Sequence, residues 1–173
     1  ILAQRVIDAT GDADVAVRSG AATIKTPLEE MIAVSVMFSM SGVNKKEFIE
    51  HIKANPTTYR DWDYGEWSVE TSGKEDEMFS PFLRKPFDQA REAGLIPENL
   101  DTIVGTWGAI YDSGDLTYLN LVHLPELDGT NPDDLTQGEM EGRRQAMLAV
   151  EALRRFNPGC GGAKLRNFGM TLG

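Results

Sequence analysis

The sequence predicts an α+β domain, a largely antiparallel sheet packed with helices, on three observations. Residues 33 to 40 alternate, with Val34, Val36, Phe38 and Met40 on one side and Ala33, Ser35, Met37 and Ser39 on the other. That is the period of a strand with one buried face. Two further apolar runs, Thr102 to Ile110 and Leu116 to His123, flank the turn cluster Tyr111-Asp112-Ser113-Gly114-Asp115 and predict a hairpin. After residue 30 strands and helices do not alternate regularly, which argues against a doubly wound parallel sheet.

The remaining elements follow in chain order. Arg5-Val6-Ile7-Asp8-Ala9 is a β-branched run and reads as a short strand ending at Thr10-Gly11-Asp12. Asp12 is placed to cap a helix from Ala13 to Ser19, with Gly20 as its C-terminal glycine. Asn44 with Glu47 forms a capping-box-like start for a helix bearing Phe48, Ile49 and Ile52 on one face, stopped at Asn55-Pro56. Residues 57 to 78 read as a long loop with Tyr59, Trp62, Tyr64 and Trp67 scattered through it. Ser80-Pro81 is a helix start, and Pro86 should kink or split the helix that runs to Ala93. Thr136-Gln137-Gly138-Glu139 is a capping box for the longest helix, to about Phe156. Lys164 to Leu172 is a last strand.

Composition narrows the function. The chain has 173 residues, 41% of them hydrophobic, enough for one domain with a core of its own. A net charge of −10 disfavours nucleic acid as a partner. No apolar run is long enough to span a bilayer. The single cysteine, Cys160, fits a reducing cytoplasm, and with two histidines it leaves no metal site to expect.

Few side chains carry chemistry on their own. His123 closes a strand beside a loop, the place of a proton donor or substrate contact, or simply of a strand-end histidine. Arg143 and Arg144 either fork a substrate carboxylate or pair with Glu139, Glu141 and Glu151 on a solvated helix face. Arg166 lies near the last strand, and Cys160 in a glycine loop lacks an identifiable base partner. Trp62, Tyr64 and Trp67 line a lid or pack on the core, and Glu75-Asp76-Glu77 reads as solvated surface. The most informative segment is Val6-Ile7-Asp8-Ala9-Thr10-Gly11-Asp12-Ala13, where a glycine turn lets backbone approach a ligand.

That segment resembles the Ala-Thr-Gly-Asp stretch that ends a strand of the FAD-binding domain in two-domain flavoproteins. Other pieces resemble the same family in the same order. They are Val36-Met37-Phe38 with Ser41-Gly42-Val43, Asp128 to Thr136, Glu141-Gly142-Arg143-Arg144-Gln145, Pro158-Gly159, and Ala163-Lys164-Leu165. The family is the bacterial FAD-dependent oxidoreductases, distantly similar to fumarate reductase and succinate dehydrogenase flavoproteins. The resemblance implies FAD as cofactor, contacted at Thr10, Gly11 and Asp12. It implies that residues 1–22 are a remnant of the FAD-binding domain, 23–163 the substrate-side or cap domain, and 164–173 a return strand. The G-x-G-x-x-G that holds the FAD pyrophosphate is not in this sequence. The expectation is therefore an internal segment, inactive alone. Its parent would transfer a hydride between FAD and a small organic substrate, such as a carboxylic acid. The FAD-binding domain of the same chain is the implied partner, and an orphaned strand at Val6 to Ala9 would leave an edge that a homo-oligomer could cover. The alternative is a self-contained acidic α+β module that binds a ligand or protein without redox activity.

Overall fold

The computed structural model describes residues 3–55 and 82–173. Among the described residues the sheet has five strands: β1 (Val34–Ser35), β2 (Phe38–Ser41), β3 (Ile103–Thr106), β4 (Leu116–Leu124) and β5 (Lys164–Phe168). The helices are α1 (Asp14–Arg18), α2 (Lys45–Ala54), α3 (Lys85–Glu92) and α4 (Pro132–Phe156), with a 3-10 turn at Leu28–Glu30. The architecture is α+β, and every strand pairing is antiparallel.

β4 is the hub. It pairs with β1 at Leu124 and His123, with β2 at Leu119 and Leu116, and with β3 at Val122 and Asn120. β5 then joins the free side of β2. The alternation from residue 33 to 40 carries through in burial, since Val36, Phe38 and Met40 are core residues while Ser35, Met37 and Ser39 are half-buried. The ladder is interrupted between β1 and β2, where the Met37 carbonyl instead accepts from Gly169 N–H. The chain after β5 keeps bonding to the same strand, with Gly173 and Ser35 exchanging both backbone hydrogen bonds. The hairpin between β3 and β4 forms as expected, and its turn closes through Tyr111 N–H to Asp115 and Gly114 N–H to Tyr111.

Helix starts show local chemistry at work. The Asn44 side chain accepts from Glu47 N–H and caps α2, as the sequence predicts. α4 begins earlier than its capping box. Asn131 accepts from Asp133 N–H, Pro132 occupies the first turn, and Thr136 Oγ1 donates back to the Pro132 carbonyl from inside the helix. A proline in the first turn needs no N–H partner, so the Asn-Pro start displaces the Thr136 cap. The same rule corrects the reading of Pro86, which sits in the first turn of α3 and starts it instead of kinking it. Ser80 and Pro81 lie outside the described residues, as do Trp62, Tyr64, Trp67 and the acidic run at 75–77.

The core lies between the sheet and the helices. α4 crosses β4 and β5 and packs on α3. Trp107 is fully buried and meets Phe48 of α2 edge-on, with ring centroids 5.5 Å apart. The helix–sheet approach is close at Gly142, where an added Cβ would stand 2.2 Å from Val36 Cγ2 and 3.1 Å from Leu124 Cδ1. Val is stiff about χ1 and cannot swing aside cheaply. Gly142→Ala gains about 1 kcal/mol of helix propensity. It loses about 1–3 kcal/mol to overpacking. The prediction is a net loss of stability, read as a lower urea midpoint at unchanged slope.

Candidate functional site

The amino-terminal segment differs most from expectation. Residues 5–9 form no strand, and Val6 and Ile7 are exposed. A lone β-branched run lacks ladder partners here, and its place is taken by a side-chain knot centred on Asp8. One Asp8 carboxylate oxygen accepts from Thr10 N–H at 3.1 Å and Thr10 Oγ1 at 2.7 Å, and the other accepts from Ala16 N–H at 2.9 Å. Thr10 Oγ1 in turn accepts from Asp14 N–H at 2.8 Å. Asp8 and Thr10 thus satisfy the orphan donors of α1, and Asp12 does not cap it. The hydrogen bond from Thr10, then those from the backbone, hold the Asp8 carboxyl below its ordinary pKa. Gly11 stands at φ 90° with no atom within 4 Å of an added Cβ, so Thr10, Gly11 and Asp12 form an exposed turn open to a ligand.

A second anchor ties this segment to the domain. Lys25 Nζ donates to Asp128 Oδ2, and to Thr130 Oγ1 at 2.8 Å, in the loop that leads into α4. Asp128 also accepts from Thr130 N–H and Oγ1, and Asp134 accepts from Asp128 N–H. The Lys25 contact first, and those of Thr130 next, lower the Asp128 pKa to about 2.

The other candidate side chains are already occupied. His123 Nε2 lies 3.2 Å from the carbonyl oxygen of Val104, a strand-to-strand hydrogen bond beside Gly105. Arg143 donates to Glu139 at 2.8 Å and lies 5.0 Å from the centroid of the Phe168 ring. Arg144 grips Glu141 with two bonds, at 2.8 and 2.6 Å. It lines an open groove on α4 with Met140, Gln137 and Thr136, but its fork is spent on Glu141. The solvated-face reading of the arginine pair therefore fits their geometry. Cys160 is buried, and desolvation pushes its thiol up to about 12, which suits a core residue and not a nucleophile.

Two further cavities lie among the described residues. One, between α2 and α3, is about 30 Å³, water-sized and too small for a substrate. The other is a cleft of about 520 Å³ lined by Ser39, Tyr111, Ser113, Asp115, Thr117, Tyr118, Arg166 and Asn167, within the size range of metabolite sites. Of these residues the sequence reading singled out only Arg166. The others are drawn together by strand register, which short motifs do not reveal.

An antiparallel sheet with one long helix packed across it, a polar cleft and an exposed glycine turn define an α+β fold with a candidate site on the sheet. The chain belongs to the FAD dependent oxidoreductase family, whose model matches residues 1–173. No curated protein and no solved structure matches it. Among the described residues no helix is long and apolar enough to cross a membrane.

The Asp128 anchor gives a pH test. Its folded pKa is depressed, so the stability it contributes is present above the unfolded value of 3.8 and is lost as pH falls toward about 2. Lys25→Met should lower the neutral-pH midpoint slightly and flatten the fall in stability between those pH values, so that the two proteins converge toward pH 2, checked by thermal melts across an acid series. An acid limb identical to that of the unsubstituted chain would contradict the anchor.

Proposed function

We propose that this chain is the substrate-side segment of a flavoenzyme that transfers a hydride between FAD and a small organic substrate. In this reading residues 1–22 belong to the FAD-binding domain, 23–163 form the substrate-side domain, and 164–173 return the chain toward the flavin. The segment alone is without turnover, because the cofactor site is completed by the FAD-binding domain. The observation that carries the reading is the knotted turn at Asp8 to Asp14, an exposed structure that packs little of its own apolar surface. Family membership over the whole chain supports it.

The residues fit a flavin in a particular way. Gly11 leaves the backbone bare, and Thr10, Gly11 and Asp12 would hold the cofactor. The carboxylates of Asp8, Asp12 and Asp14 crowd the turn and would repel a pyrophosphate, so the contact suits the uncharged hydroxyl-bearing part of the cofactor. Bound there, the flavin supplies the hydride acceptor or donor. The chain's own residues position the substrate and exclude water. His123, Arg143 and Arg144 serve as supports of the domain, since each holds a neighbour already. A carboxylic acid substrate would need a cation that these two arginines do not offer.

The test uses the intact polypeptide that carries these residues. Purified, it should hold FAD, seen as visible flavin absorbance. Gly11→Val places a β-branched residue at φ 90° and should weaken FAD about tenfold, equivalent to about 1.4 kcal/mol, with an unchanged far-UV circular dichroism spectrum. Full flavin occupancy in this variant, or a flavin-free parent protein, would contradict the reading.

A further inference from the structure

The cleft of about 520 Å³ is built by two β-bulges that face each other across Ser39. On one side β2 pairs Phe38 with Leu119 and Met40 with Leu116, so β4 carries one extra residue between them. There Tyr118 adopts φ 50°, a left-handed conformation that a bulky side chain rarely takes. On the other side Ser39 pairs with Asn167 and Met40 with Leu165, so Arg166 is the extra residue of β5. Bulges re-aim side chains, and they concentrate beside binding sites. Here they turn Tyr118 and Arg166 into the cleft lining, on the face opposite the buried Phe38 and Met40.

The Tyr118 ring costs its backbone a strained conformation and returns little burial. Its side chain rests on Gly108, where an added Cβ would come within 2.8 Å, yet the residue is 65% exposed. Tyr111, 53% exposed, lines the same cleft. Strain held without burial is the mark of a site, not of a core.

The lining chooses the ligand class. Arg166 faces Asp115 across 3.8 Å, so the two charges cancel within the cleft. The chain as a whole carries −10, which disfavours an anion there. Asp115 already accepts from Ser113 Oγ, while Ser39, Asn167 and the two tyrosine hydroxyls add groups that donate and accept. Aromatic faces beside mixed donors and acceptors suit a molecule with C–H faces and hydroxyl edges.

We propose that the bulged cleft between Tyr118 and Arg166 binds a neutral, polyhydroxylated, sugar-sized molecule. This rests on the flavoenzyme reading only where it names that molecule as the substrate. The test is saturation-transfer NMR on this chain, without flavin, using D-glucose and succinate as separate probes. D-glucose should bind and succinate should not. Tyr118→Gly relieves the left-handed strain, so its melting temperature should equal or exceed that of the unsubstituted chain, while D-glucose binding falls about tenfold or more. Tyr118→Asn, which also tolerates positive φ, should behave alike. The proposal is overturned if D-glucose does not bind, if its binding survives both substitutions, or if succinate binds and Arg166→Gln abolishes that binding. Because no readout involves flavin, such a failure leaves the flavin reading to stand or fall on cofactor occupancy.

Discussion

The rest of the described structure depends on the pairing of β4 with three other strands. Its nine residues carry β1 and β2 in succession and β3 besides, and β5 reaches the sheet only through β2. Most of its side chains are buried, including Leu116, Leu119, Leu121, Val122 and Leu124. A strand buried to that degree has its register set by packing, because a slip of one residue would send apolar side chains to the wrong face. The slips that do occur are local. β3 carries an extra residue near Gly105, where an added Cβ would stand 1.8 Å from the Asn120 carbonyl oxygen, so a bare backbone is required there. The bulges at Tyr118 and Arg166 are of the same kind, and they turn those side chains into the cleft lining.

Parts of this were legible in the sequence. The alternation from Val34 to Met40, the hairpin turn at Tyr111 to Asp115 and the Asn44 cap each rest on interactions within a few residues, and each formed. Elsewhere a nearby competitor won. Asn131-Pro132 outcompeted Thr136 as the start of α4, and Pro86 began a helix because it fell in the first turn. The strand expected at Val6 to Ala9 had no ladder to join, and Asp8 spent its carboxylate on α1. The i, i+3 and i, i+4 spacing of Arg143 and Arg144 to their glutamates was visible, and their pairing followed from it. The cleft was not legible, because it depends on which residue each bulge leaves over.

The two faces of the sheet divide the work. One carries the apolar side chains of β2 and β4 into the core, sealed by α4 through the close approach at Gly142. The opposite face at Ser39 is polar and holds the cleft. Lys25, further along the chain than the amino-terminal turn, is tied to the loop before α4 through Asp128. Exposed ion pairs of this kind add little stability each, so the anchor's value lies in fixing where the loop and the segment meet.

The functional reading turns on one claim, that the exposed turn of Thr10, Gly11 and Asp12 contacts FAD in the intact protein. The most direct measurement is a crystal structure of the intact flavin-loaded protein. The expected result is FAD held with Thr10, Gly11 and Asp12 against the cofactor. A flavin seated against the exposed side of α4, beside Met140 and Arg144, would contradict it.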